Sequence, residues 1–147
     1  MNVHANLTSS HYREMGSIAR ILHTRNDSRF RNAGLQKGQF VFLTRLCENA
    51  GTTVVGLAKL ARVDQTTATK AVSKLETAGY LSRLPDPKDG RSHTLWPSAK
   101  ALEQYQKIVQ AENDDLNQGL AGFTEADKQG LLSLLERIRS NLEGAQA

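Results

Sequence analysis

The sequence predicts an all-α domain carrying a small β wing. Helical spacing of apolar residues runs through most of the chain. The three prolines, Pro85, Pro87 and Pro97, all fall in one short stretch that interrupts it. Hydrophobic residues make up 39%, charged residues 23% and aromatics 5%, a balance that suits a folded helical protein and not a disordered chain. A chain of 147 residues is long enough to bury a core as one domain over 1–147. The winged core is expected over 36–98, with flanking helices over 8–26 and 98–143.

In the first helix, Met15, Ile18, Ala19 and Leu22 recur at i, i+3, i+4 and i+7 behind the cap candidates Thr8, Ser9 and Ser10. The polar stretch from Thr24 to Gly34 suggests a loop. Phe40, Leu43 and Cys47 then repeat at i, i+3 and i+7, with Leu46 beside them. They place a second helix from about Lys37 to Asn49. Gly51-Thr52-Thr53 reads as a turn or a minimal strand, and Thr53 suits the cap of a third helix carrying Leu57, Ala58, Leu60 and Ala61. Asp64 caps a fourth helix that runs to about Ala78, where Gly79 stops it.

Residues 80–84 and 92–96 read as two strands around a turn over 85–90. Ser98 caps a fifth helix with apolar positions at Leu102, Tyr105, Val109, Leu116 and Leu120. Thr124-Glu125-Ala126-Asp127 has the form of a capping box with Asp in place of Glu. The sixth helix behind it carries Leu131, Leu134, Leu135, Ile138 and Leu142 on one face.

Charge is unevenly distributed. Residues 1–53 hold seven Lys/Arg and three Asp/Glu, a net of +4. Residues 54–100 hold eight and four, again +4, whereas residues 101–147 hold four and eight, a net of −4. A basic body points to a polyanionic partner, and an acidic tail to a part held away from it. No apolar run approaches the roughly 20 residues that span a bilayer, and residues 1–6 lack the apolar core of a signal peptide. A single cysteine allows no internal disulfide, which fits the cytoplasm.

The third and fourth helices, joined by a turn over 61–64, form a helix-turn-helix. Ala68, Ala71, Val72 and Leu75 line the inward face of the fourth. Gln65, Thr66, Thr67, Thr69, Lys70, Ser73 and Lys74 are left for contact with DNA, with no acidic residue before Glu76. Hydroxyls and amides bond base edges or phosphates, and lysines pair with phosphate or guanine. Behind this helix, Arg83, Lys88 and Arg91 lie on a ribbon that can straddle the backbone and enter a narrow minor groove. Asp89, two residues before Arg91, is placed to hold that arginine in an ion pair.

These segments resemble the multiple-antibiotic-resistance regulator (MarR) family. The resemblance rests on Gly34-Leu35 with Gln39, Phe40 and Leu43, on Thr53 with Leu57-Ala58, and on Val63 through Lys70. It continues through Leu75-Glu76 and Gly79-Tyr80-Leu81 to Asp89-Gly90-Arg91-Ser92, which is similar to the family's Asp-x-Arg wing motif. Residues 34–100 are covered closely. Pro97-Ser98 departs from the Leu-Thr with which the family usually leaves the wing. The resemblance implies a cytoplasmic, homodimeric repressor of double-stranded DNA, bound at a pseudo-palindromic operator. It also implies release by a small phenolic or anionic effector.

A dimer has an independent argument. One recognition helix reads few base pairs, and two copies about 34 Å apart read a palindrome. The first, fifth and sixth helices carry more apolar surface than a winged core needs. Tyr12, Met15 and Tyr105 are candidates for a ligand pocket, although ordinary core packing accounts for them as well. The basic residues Arg25, Arg29 and Arg31 border a loop. Cys47 shares its face with Phe40 and Leu43, which suggests an inert thiol, and Trp96 sits where the wing meets the fifth helix. His4, His11, His23 and His93 share no metal-ligand spacing, so neither a metal nor a cofactor is expected. An enzyme would need a phosphate loop, nucleophile motif or paired carboxylates, which are missing. The alternative that remains is a winged helix used for protein–protein contacts without DNA binding. It calls for an apolar or acidic recognition face.

Overall fold

A computed structural model describes residues 9–36 and 38–145. Thr8, Lys37 and His4 lie outside them. The helices are α1 (His11–Arg29), α2 (Gln39–Glu48), α3 (Val54–Ala61), α4 (Gln65–Thr77), α5 (Ala99–Gly119) and α6 (Glu125–Ala145). A two-stranded antiparallel sheet of β1 (Leu81–Pro85) and β2 (His93–Pro97) stands between α4 and α5. The chain forms two compact units, Met1–Ala111 and Glu112–Ala147.

In the first unit, Leu43 and Leu46 of α2, Leu57 of α3, Val72 and Leu75 of α4, Leu95 of β2 and Ile108 of α5 are fully buried around one core. Burial on this scale makes truncation costly, about 2–5 kcal/mol for a core leucine cut to alanine. Thr53 Oγ1 accepts the Gly56 N–H at 3.1 Å and caps α3. Asp64 Oδ1 accepts the Thr67 N–H at 2.8 Å and caps α4. Between them Arg62, at φ +56°, turns the chain in the left-handed region.

One expectation needs correction. The stretch over 24–34 is not a loop, since α1 continues to Arg29 and a 3-10 turn occupies Arg31–Ala33. No glycine or proline interrupts the helix there, and Phe30, buried against Phe40 with ring centroids 5.6 Å apart, anchors its end. Arg25 and Arg29 are therefore helical. On α5 Ala101, Ile108, Ala111 and Asp115 are buried, while Leu102 and Leu116 of the apolar stripe are 46% and 44% exposed. Two small alanines let the helix approach the core closely, which a search for large apolar residues passes over.

The minimal strand expected near Gly51 is a single bridge, Thr52 to Leu95, on the edge of β2. A side chain at Gly51 would meet the Trp96 ring, whose Cζ2 lies 3.1 Å from the position of a Cβ; the φ of +89° there also favours glycine. Trp96 thus packs on this turn, and its Nε1 donates to Thr94 Oγ1 at 2.9 Å.

In the second unit, Thr124 and Asp127 form the anticipated reciprocal capping box. The Thr124 N–H donates to Asp127 Oδ2 at 3.0 Å, and the Asp127 N–H to Thr124 Oγ1 at 3.1 Å. No described residue of α6 is buried, and Leu134, Leu135, Ile138 and Leu142 are 54%, 44%, 36% and 63% exposed. The described residues of α1 likewise bury none of their side chains. Among the described residues, no helix is long and apolar enough to cross a membrane.

Candidate nucleic-acid interface

The outer face of α4 is built by its inner one. Ala68, Ala71, Val72 and Leu75 are buried, so helical geometry turns Gln65, Thr66, Thr69, Lys70, Ser73 and Lys74 to solvent. Thr67 is exposed too, but its hydroxyl donates to Asp64 Oδ2 at 2.9 Å and serves the cap. Those bonds from Thr67, backbone first, hold the Asp64 carboxyl below its usual range. The Thr69 hydroxyl donates to the Gln65 carbonyl at 2.8 Å, which leaves its oxygen able to accept. Among the described residues, Lys70, Ser73 and Lys74 side chains have no hydrogen-bond or ion-pair partner. Two unneutralised cations and a hydroxyl therefore occupy adjoining turns.

Glu76, the one acidic residue of α4, is not left facing an anion alone. Arg83 Nε of β1 reaches its Oε2 at 3.1 Å and its Oε1 at 3.2 Å. Arg83 is thus committed first to the helix. Lys88 and Arg91 lie exposed on the turn of the wing.

That turn is folded by its two aspartates. Asp86 Oδ1 accepts the Lys88 N–H at 2.9 Å, and Asp89 Oδ1 accepts the Arg91 N–H at 3.0 Å. Main-chain bonds from Asp86 to Ser92 and from Ser92 to Asp89 close the loop, each at 3.0 Å. The expected ion pair between Asp89 and Arg91 is therefore a backbone contact. The carboxylate shapes the turn, and the Arg91 guanidinium stays free to reach outward, which explains the Asp-x-Arg spacing physically.

A concavity of about 190 Å³ lies between α3, the start of α4 and the wing. Gln65, Arg83 and Arg91 line it, joined by Thr53, Ser92, His93 and the apolar Val54 and Val55. Of its two arginines, Arg83 is engaged by Glu76, which leaves Arg91 and the hydroxyls of Thr53 and Ser92 as the donors available to an anion there. Sequence reading missed this role for Thr53 and His93. The available signal was the hairpin register, in which His93 pairs with Pro85 at the mouth of the wing turn.

The three residues considered for a ligand pocket do not line this concavity. Tyr12 is 82% exposed and Met15 36% exposed on α1, while the Tyr105 hydroxyl donates to Glu48 Oε1 at 3.1 Å. Cys47 is half-buried, and burial, reinforced by the Glu48 charge, raises its pKa to about 11.

Residues 35–93 match the model of the MarR family. The chain is 35% identical over 131 residues to the uncharacterized HTH-type transcriptional regulator YybA of Bacillus subtilis (strain 168), covering 89% of this chain and 87% of that one. Its fold superposes on a MarR protein from Peptoclostridium difficile with a TM-score of 0.89 at 39% identity, over 99% of this chain and 95% of the other. A further neighbour is a MarR family regulator from Listeria monocytogenes, solved in complex with a 26-mer DNA. It is 29% identical, with a TM-score of 0.84 over 95% of this chain and 90% of its own. Motifs, fold and relatives agree that the chain belongs to the MarR family of transcriptional regulators.

Proposed function

We propose that this protein is a homodimeric, sequence-specific transcriptional regulator that binds double-stranded DNA, α4 entering the major groove and the wing reaching the adjacent minor groove. One observation carries the reading. The exposed face of α4 is hydroxylic and cationic, and its lone carboxylate is neutralised by Arg83 of the wing. An apolar or acidic face would have favoured protein contacts instead.

In this reading Gln65, Thr66, Thr69 and Lys70 approach base edges, while Ser73, Lys74 and Lys88 hold phosphates. Thr67 acts through the cap of the helix, Arg83 through Glu76, and Arg91 enters the minor groove. The winged core over 36–98 reads DNA, and helices over 8–26 and 98–143 supply the dimer. Support for the dimer comes from the apolar residues that α1 and α6 leave exposed.

The relative IacR of Pseudomonas putida is named a repressor, which favours repression here as well. We place a small phenolic or anionic effector in the concavity that Arg91 lines, where it would draw that guanidinium away from the minor groove. The cytoplasm, where DNA and a reduced Cys47 are found together, is the proposed site of action.

Selection from a random pool of duplexes tests this reading. The expected product is an inverted repeat with half-site centres about 10 base pairs apart, one helical turn. A pool that shows no enrichment at low salt overturns it in favour of protein contacts.

A further inference from the structure

A helix leaves its last carbonyls without partners. At the exit of α4 the C-cap carbonyl of Ala78 is met by a side chain 22 residues away, and the carbonyl of Gly79, just beyond the helix, by one 19 residues away. Ser98 Oγ donates to the Gly79 carbonyl at 2.7 Å, and Lys100 Nζ donates to the Ala78 carbonyl at 2.7 Å. The Ser98 N–H adds a bond to the Tyr80 carbonyl at 3.0 Å. Lys100 Nζ also lies 4.4 Å from the centre of the Tyr80 ring. That ring is fully buried, with its hydroxyl bonded to the Ala33 carbonyl, so the cation rests on a fixed platform. Ser98 meanwhile caps α5, its Oγ accepting the Ala101 N–H at 3.2 Å.

The end of the recognition helix and the start of α5 are thus tied directly, bypassing the wing that connects them along the chain. α5 is 21 residues long, about 30 Å. Over that length a tilt of roughly 10° at its start moves the far end by about 5 Å, more than the rise of one base pair.

We propose that Ser98 and Lys100 are positioning residues that set the spacing at which paired recognition helices read their half-sites, by locking the pitch of α4 to α5. The proposal rests on the dimeric DNA-binding reading above. Neither side chain needs to touch DNA. Lys100, with its ammonium between a carbonyl and an aromatic face, serves the helix end as a cation does at the negative pole of its dipole.

The test uses the full-length protein, the duplex recovered by selection, derivatives with one or two base pairs inserted between half-sites, and a duplex with a single half-site. One inserted base pair rotates and displaces a half-site, so wild-type binding falls roughly tenfold or more. Lys100→Met and Ser98→Ala are expected to shrink that ratio to below about threefold while leaving single half-site binding within about twofold; Lys100→Arg restores the wild-type ratio. Should Ser98→Ala fail to fold, solvent-exposed Lys100→Met carries the test alone.

Variants that weaken all duplexes by one common factor, or keep the wild-type ratio, overturn the proposal. So does a salt slope reduced by about one unit in Lys100→Met, which marks a phosphate contact. A wild-type protein without spacing preference removes the paired half-site reading and this proposal together. A preference shared by wild type and variants removes this proposal alone.

Discussion

Arg83 and Glu76 pair at 3.1 Å, joining the first strand of the wing to the last turn of α4. The pair is partly exposed, at 29% and 43% of the side chains, so its worth to stability is small, about 0.5 kcal/mol. Its worth to binding is larger, because it cancels the only carboxylate on α4. Glu76→Gln is expected to raise DNA affinity roughly threefold at low ionic strength, with the gain fading as salt rises. Anisotropy titrations at two salt concentrations check this; a loss of affinity would mean that Arg83 must be held by Glu76 to be useful.

Arg91 is free to reach DNA because Asp89 is occupied with the backbone of the turn. Arg91→Ala should therefore lower operator affinity by about tenfold or more while leaving the melting temperature unchanged. Asp89→Ala should lower affinity as well, through the turn, and Asp89→Asn should largely restore it, since an amide oxygen accepts the same N–H. Equal loss in both Asp89 variants would show that the charge itself matters.

Much of this architecture is legible in the sequence, for local reasons. Thr53, Asp64, Ser98 and Thr124 announce helix starts because a cap is satisfied within three residues. The outer face of α4 follows from the period of its apolar residues. Three features are not legible. The Tyr80 hydroxyl bonds a carbonyl 47 residues away, Lys100 bonds the Ala78 carbonyl 22 residues earlier, and Arg83 chooses Glu76 over solvent. Each depends on how distant segments pack, which no local pattern encodes. The core face of α5 is hard to read for another reason: two alanines flank Ile108 on it, and a search for large residues favours the exposed side.

Tyr80 joins the loop before α2 to the exit of α4 through its bond to Ala33. Tyr80→Phe should destabilise the fold by about 1 kcal/mol, read from urea denaturation. Burial raises the Tyr80 pKa above 10.0. A folded-state pKa above the unfolded one means that this contribution is complete below about pH 10 and is lost as pH rises through the folded value. In the wild type, alkaline titration followed by phenolate absorbance should show one tyrosine that ionises late; Tyr80→Phe should lack it.

Cys47 should be a slow nucleophile. A rise from 9.0 to about 11 lowers its thiolate fraction near neutral pH about 100-fold. A more basic thiolate is intrinsically more nucleophilic, so its reaction with a disulfide reagent should be slower than that of a free thiol by about tenfold, and should accelerate on unfolding. Fast reaction in the folded protein would contradict the inert thiol.

The exposed apolar face of α6 has a direct test. Leu135→Glu combined with Leu142→Glu places charge on a surface that is open within one chain. Helix content by circular dichroism should be retained, while sedimentation equilibrium should report monomers and operator affinity should collapse. A double variant that remains dimeric would move the interface elsewhere.

The most direct measurement is fluorescence anisotropy of the selected duplex beside a scrambled one, across a salt series, for wild type and Lys74→Ala. The expected result is saturable binding that prefers the selected sequence and weakens linearly in log salt, with a slope about one unit smaller for Lys74→Ala. Equal, weak binding to both duplexes, or an unchanged slope in Lys74→Ala, would contradict α4 as the surface that reads DNA.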